Sequence, residues 1–251
     1  MSDTFVASLR AHLHWPPTWL HLRAACTLCG LGADPSAAAP ICPGCLLDLP
    51  WLQARCETCA LPLPVSGQVC GACLRRPPSF ERVEVPWRYG FPVDSLVTGF
   101  KHRARWPQGR MLADLLAEHL RHAFAEGLPR PELLLPVPLA RARLRARGFN
   151  QAGLLAGWLA ADLGLAQRHD WLRRDRDTPA QQALDAASRQ RNLRQAFALE
   201  PRATPAGRHL ALVDDVLTTG ATAEALARLL RRAGAARVDV YCLARTPKPG
   251  D

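Results

Sequence analysis

The sequence predicts an α/β protein in which a parallel sheet flanked by helices follows a small cysteine-rich module. Three observations carry that reading. Eight of the nine cysteines lie between residues 26 and 73. Apolar runs of strand type alternate with helical apolar faces further on. The carboxy-terminal part reads as strand, turn, helix, strand. Parallel strands require crossover connections, and helices supply them while covering both faces of a sheet.

Taken in order, residues 1–25 hold a short amphipathic stretch, Phe5, Val6, Leu9 and Leu13, which stops at Pro16-Pro17 and reads as a packing arm. Residues 26–79 are rich in Pro and Gly and poor in large apolar side chains, so this part needs a staple to fold. Arg75-Arg76-Pro77-Pro78-Ser79 reads as a linker, and residues 84–251 read as the larger domain. Within it, Met111, Leu112, Leu115, Leu116, His119 and Leu120 recur at helical spacing, and Leu133 to Val137 form a buried-strand run. Leu154, Leu155, Trp158, Leu159 and Leu163 make a second helical face. Leu210 to Val213 then predict a strand, residues 221–233 a helix stopped by Gly234, and Val238, Val240 and Cys242 a last strand.

With 48% hydrophobic and 22% charged residues over 251 positions, a disordered chain and a coiled coil are both excluded. No apolar run approaches the roughly 18 residues of a membrane span, so membrane insertion is not expected. The amino terminus lacks the basic region, apolar run and cleavage site of a secretory signal, which makes a cytoplasmic, reducing location the expectation. In that setting the cysteine pairs favour metal over disulfides.

The pairs are Cys26/Cys29, Cys42/Cys45, Cys56/Cys59 and Cys70/Cys73, each Cys-x-x-Cys, and the four-cysteine unit repeats at an offset of thirty residues. Zinc takes four thiolates tetrahedrally, and two tight turns each offering a sulfur pair supply that geometry. Two structural zinc sites follow, with binding energy standing in for a missing core. Redox dithiols are a poorer reading, since one pair would suffice, and the spacing is not that of the common iron–sulfur runs. The tandem repeat favours sequential over crossed pairing.

The strongest chemical signal is Leu212-Val213-Asp214-Asp215-Val216-Leu217-Thr218-Thr219-Gly220-Ala221-Thr222, where an apolar strand meets two acids and then a loop of small hydroxyl residues opening a helix. A helix amino terminus offers free amides to a phosphate. Thr218, Thr219 and Thr222 add hydroxyls, and Gly220 lets the backbone approach closely. The two carboxylates would repel phosphate and therefore face something else. Vicinal ribose hydroxyls, with Mg²⁺ beside them, suit them well. Together these parts describe a 5-phosphoribosyl site.

This string closely resembles the phosphoribosyl-pyrophosphate (PRPP) signature of type I phosphoribosyltransferases, with Ala221 where many members carry a second glycine. The resemblance implies that Asp214 and Asp215 hold the ribose hydroxyls and that Thr218, Thr219, Gly220, Ala221 and Thr222 cradle the 5′-phosphate. Leu135-Pro136-Val137-Pro138 looks like the pyrophosphate strand and loop of that fold. Arg141, Arg143, Arg145 and Arg147, followed by Gly148-Phe149-Asn150-Gln151-Ala152, would clamp a diphosphate with magnesium.

The whole layout from about residue 26 to 246 resembles the ComF/GntX family, whose members pair a double zinc ribbon with a phosphoribosyltransferase-like domain. Arg176-Asp177-Thr178-Pro179-Ala180-Gln181-Gln182 and Ser188-Arg189-Gln190-Arg191-Asn192-Leu193 match further family stretches, and Phe100-Lys101-His102-Arg103 looks like its basic motif ahead of the first helix. The resemblance implies binding of PRPP with Mg²⁺ and service to DNA uptake or processing in competent bacteria, with single-stranded DNA or competence proteins as partners. If the site turns over, a nucleophile displaces pyrophosphate from C1 of PRPP. Lys101, Arg141 and Arg147 are the pyrophosphate candidates, and Asn150, Gln151, Arg176 and Gln181 face the acceptor or a loop. Residues 166–200 carry no motif that names an acceptor. Two other readings stay open: a nucleic-acid-binding adaptor that keeps the fold as scaffold, and a nucleobase salvage transferase.

The formal charge is +10, and it divides unevenly. Residues 1–83 hold six basic and five acidic side chains, while residues 84–251 hold 26 and 17. Each four-thiolate zinc site adds about −2, which leaves the cysteine module acidic and the larger domain basic.

Overall fold

The computed structural model describes residues 25–33, 37, 39–175 and 196–248. The expected arm lies outside the described residues save for Ala25, and so do Arg176 and Gln181.

Six strands form one sheet in which every pairing is parallel. β1 (Arg82–Glu84) and β2 (Trp87–Arg88) both lie on β8 (Arg237–Arg245), which pairs with β7 (His209–Leu217), then β3 (Leu133–Pro136), then β4 (Ala166–Gln167). The connections are helical: α3 (Val93–Arg103), α4 (Trp106–Ala125), α5 (Arg141–Arg147), α6 (Gln151–Leu163) and α7 (Ala221–Arg232). Two short helices, α1 (Pro43–Leu47) and α2 (Gly71–Arg75), belong to the cysteine units. A separate antiparallel pair, β5 (Leu172–Arg174) and β6 (Phe197–Leu199), stands in the segment before β7.

Side chains alternate across a strand, so each central strand feeds two cores. Leu134, Ala211, Val213, Tyr241 and Leu243 pack with α3, α4 and α6 on one face. Leu133, Leu135, Leu210, Leu212, Val238, Val240 and Cys242 pack with α7 on the other. Cys242 is fully buried, as a strand residue should be.

α3 was not among the expected helices, although Val93, Leu96, Val97 and Phe100 have the i, i+3, i+4, i+7 spacing of one buried face. The basic motif therefore lies in the last turn of a helix, where Lys101, His102 and Arg103 meet the negative end of its dipole. Phe100 packs so tightly on α4 that a Cβ at Gly109 would stand 2.5 Å from its ring. Gly109→Ala is expected to lower stability by about 1–3 kcal/mol through overpacking. Urea unfolding checks this, and an unchanged midpoint would contradict it.

The thirty-residue repeat is visible in the backbone. Cys26 N–H donates to Leu31 O and Gly30 N–H to Cys26 O; Cys56 N–H donates to Leu61 O and Ala60 N–H to Cys56 O. Gly30 and its counterpart Ala60 both have positive φ. The segment around these turns runs along the outer edge of the sheet, with Leu52 N–H donating to Pro86 O, Val83 N–H to Thr58 O and Arg88 N–H to Pro50 O. Covering an open strand edge removes a surface prone to self-association.

Candidate functional site

A cleft of about 880 Å³ opens at the carboxy-terminal ends of β3 and β7. Open parallel sheets bind ligands there, because helix amino termini and connecting loops converge at those ends. β7 extends past the expected strand to Leu217, so both acids belong to it. Asp214 continues the row of Leu210 and Leu212, while Asp215 continues that of Ala211 and Val213 and meets α3. Lys101 Nζ stands 2.7 Å from Asp215 Oδ2. The approach is too oblique for a hydrogen bond, so that buried oxygen has a charge beside it and no donor aimed at it.

Each acid also accepts from the next backbone amide: Asp215 N–H donates to Asp214 Oδ1 at 2.9 Å, and Val216 N–H to Asp215 Oδ1 at 2.8 Å. Asp214 keeps some surface open to the cleft, but protein encloses its carboxyl. That desolvation pushes its pKa up to about 7, with Lys101 pulling the other way. Burial pushes the Lys101 ammonium down; Asp214 opposes this, and Arg147 and Arg143 reinforce it.

The turn from β7 to α7 is made by Thr218, Thr219 and Gly220, with Ala221 as the first helical residue. Gly220 has φ +75°, a left-handed conformation that a side chain strains. It offers no capping side chain, and Ala221 N–H reaches Thr219 Oγ1 only at a long 3.4 Å. The first turn of α7 therefore keeps amides for a ligand.

Of the residues expected from the sequence, Lys101, Arg147, Gln151, Asp214, Asp215 and Thr222 line the cleft. Arg141 and Asn150 do not, and of the turn Thr218, Thr219, Gly220 and Ala221 lie beside the cleft without lining it. Residues 141–147 form a helix, so alternate arginines are about 200° apart around its axis instead of on one side, and the i, i+4 pair Arg143 and Arg147 faces the cleft. Asn150 caps α6, accepting from Ala152 N–H and donating to Val137 O at 3.1 Å in each case. Arg147 donates to Gln151 Oε1 across one turn. Sequence reasoning missed Arg174 and Phe149 as lining residues. Arg174, on β5, also lies over the Phe197 ring of β6, a pairing of distant segments that no local pattern announces. The cleft holds five basic side chains, Lys101, Arg103, Arg143, Arg147 and Arg174, against two acidic ones, which suits a small polyanion.

The eight clustered cysteines form two groups, Cys26/Cys29/Cys42/Cys45 and Cys56/Cys59/Cys70/Cys73, and within each the four sulfurs lie within 4.8 Å of one another. The pairing is thus sequential. Cys29 and Cys42 Sγ are 3.7 Å apart, as are Cys59 and Cys70 Sγ. Four sulfurs at about 2.3 Å from a tetrahedral zinc would be separated by about 3.8 Å, so both groups fit the ion. None of the cysteines is in a disulfide. Burial raises the Cys26 thiol, but amides of Cys29, Cys42 and Leu28 outweigh it and hold the group near 6; contacts to Cys42 and Cys29 push Cys45 up to about 12. Thiols packed this closely deprotonate together only when a cation neutralises them.

A family profile described as a phosphoribosyl transferase domain matches residues 156–250. The chain is 39% identical over 222 residues to DNA utilization protein YhgH of Salmonella typhi, covering 87% of this chain and 97% of that one. It is 35% identical over 207 residues to competence protein F of Haemophilus influenzae, covering 82% and 90%. Competence protein ComFC of Bacillus subtilis aligns at 32% identity over 115 residues, 45% of each chain.

Proposed function

The chain belongs to the ComF family, and on that premise we propose that it binds PRPP with Mg²⁺ in the cleft beside Asp214 and Asp215 and serves DNA uptake or processing in the cytoplasm. One observation supports this above the others: the acid pair, Thr222 from the first turn of α7, and Lys101, Arg143 and Arg147 line a single cleft. Asp214 and Asp215 would take the ribose hydroxyls, the 218–222 turn the 5′-phosphate, and Lys101 with Arg147 and Arg143 the diphosphate. Magnesium brought with the ligand offsets the diphosphate charge. In turnover the C1–oxygen bond breaks, pyrophosphate leaves with the electron pair, and the nucleophile bonds to C1. This chain's residues would contribute by positioning and charge stabilisation.

Calorimetry with PRPP and Mg²⁺ tests the reading. The wild-type chain is expected to bind and Asp214→Asn/Asp215→Asn to bind at least about 100-fold more weakly, because two charged hydrogen-bond acceptors are lost. Equal affinities would overturn the site. A carboxyl with a pKa near 7 that must ionise to accept from ribose releases a proton on binding. Near pH 7 about half a proton should be released, measured in buffers of different ionisation enthalpy. Without ligand the same shift lowers stability as pH rises from the ordinary carboxylate range through 7, since the folded state holds its proton longer.

A second reading is favoured by Arg141 and Arg145, an exposed i, i+4 pair on the side of α5 away from the cleft, with no acidic partner among the described residues. Such a helix face suits the backbone of single-stranded DNA. Binding should then weaken steeply with salt, and a flat salt response would count against it.

A further inference from the structure

Arg245, the last residue of β8, is a buried guanidinium that spends its donors on backbone carbonyls. Its Nη1 donates to Leu217 O at 3.1 Å, to Thr246 O at 2.8 Å and to Thr218 O, all around the start of the turn beside the cleft. Its Nε donates in another direction, to Cys59 O at 3.0 Å, the carbonyl of a cysteine in the second four-sulfur group. One side chain therefore joins the turn to Cys59, which lies 186 residues before Arg245 in the chain. Among the described residues no carboxylate forms an ion pair with it, in contrast to the buried acids of the sheet.

The consequence for the turn follows from peptide geometry. In a planar trans peptide the C=O and the following N–H point in opposite directions. Drawing the Leu217 and Thr218 carbonyls onto Arg245 turns the amides of Thr218 and Thr219 away from it. A guanidinium solvated by carbonyl dipoles alone also keeps its full charge beneath the turn, in a region of low dielectric. Both effects favour an anion on the turn's outer side.

We propose that Arg245 is a positioning residue that ties the 217–222 turn to the Cys56/Cys59/Cys70/Cys73 centre, so that a metal ion in that centre stiffens the turn and strengthens its hold on phosphate. The part concerning phosphate rests on the PRPP reading; the coupling itself does not. With a metal bound, the Cys56–Cys59 turn is rigid and Cys59 O is a fixed anchor. When the metal is lost, that anchor loosens and Arg245 loses one of its two attachments. The first cysteine group makes no hydrogen bond to Arg245 and serves as the control.

The test uses the full zinc-loaded chain, with hydrogen exchange of amides 218–222 as the ligand-free readout and calorimetric PRPP–Mg²⁺ affinity as the second. Cys73→Ala, which opens the second centre, is expected to speed exchange in the turn and weaken PRPP about tenfold, within the usual range of coupling between sites. Cys45→Ala, in the first centre, should leave both within about twofold, well below that range. Arg245→Lys keeps the charge but cannot span both elements, and it should reproduce the Cys73→Ala effect with both metals still bound. Adding Cys73→Ala to Arg245→Lys should then change little. Independent, multiplying effects of the two substitutions would overturn the coupling, as would turn exchange that Arg245→Lys leaves unaltered. If Cys73→Ala costs the chain its fold, Arg245→Lys and Arg245→Met, with metal content verified, decide by the same exchange readout. If the wild-type chain binds no PRPP but the exchange pattern holds, the ligand reading fails and the coupling stands.

Discussion

Stripping zinc from the full chain is expected to unfold the cysteine module while leaving the central strands of the sheet protected. The apolar core of the second unit consists of Cys56, Cys70 and Cys73 with Leu61, flanked by the partly buried Cys59, Leu63 and Val69. Its interior is therefore largely the ligand set itself. Take away the cation and four crowded thiols remain, with too little apolar area to hold two turns and a five-residue helix. Structural zinc in such units carries about 10 kcal/mol or more of apparent binding energy at neutral pH. The first unit should resist somewhat longer, because Ala33, Ala39, Ile41 and Leu49 pack into the main core. Native mass spectrometry should find two zinc ions per chain before chelation. Hydrogen exchange after chelation should show amides 56–74 exposed and those of β7 and β8 retained. A metal-free chain with unchanged protection would refute both the metal assignment and its structural role.

Replacing Glu84 by Ala is expected to destabilise the fold by about 3–5 kcal/mol, the usual cost of leaving buried charges uncompensated. Glu84 has no exposed surface and gathers Arg55 at 2.7 Å, Arg82 at 2.5 Å and His119 at 3.2 Å. Arg55 also donates to Val85 O at 2.7 Å, so this one carboxylate fastens the cysteine module, the edge strand and α4 together. In a domain of this size the melting temperature should drop by about 6–20 °C. Burial works against the ionised carboxyl, but His119, Arg55 and Arg82 outweigh it and hold its pKa near 2, below the ordinary 4.5. A depressed acid stabilises the fold fully above its unfolded pKa and loses that contribution as pH falls toward its folded one. About 3 kcal/mol should therefore be lost between roughly pH 4.5 and 2. Glu84→Gln should remove most of that acid-limb loss. A variant with the wild-type midpoint and the wild-type acid limb would show that the cluster contributes nothing.

How much could be read in advance differs from residue to residue for identifiable reasons. The cysteine repeat was legible because ligand spacing along the chain carries the geometry: an offset of thirty placed Gly30 and Ala60 in equivalent turns. The acids and the threonine turn were legible because strand end, turn and helix start are contiguous. Lys101 was found by its motif but placed before a helix when it closes one, since α3 is short and its basic end masks its apolar face. Arg141 was expected beside Arg147, whereas a seven-residue helix turns the i, i+4 pair at 143 and 147 into the cleft and Arg141 away from it.

By itself the sequence determined the class of the fold, the two sulfur quartets and the acid pair with its turn, all features whose physics acts within a dozen or so residues. Only the tertiary structure decided that Glu84 meets Arg55 and His119, that Lys101 reaches Asp215, and that Arg245 joins Cys59 to Leu217. Those pairings span 28 to 186 residues, and a charge meets its partner at such a separation only after the sheet order and helix faces have brought them together. Periodicity says which side of an element is apolar; it does not say which other element that side will meet.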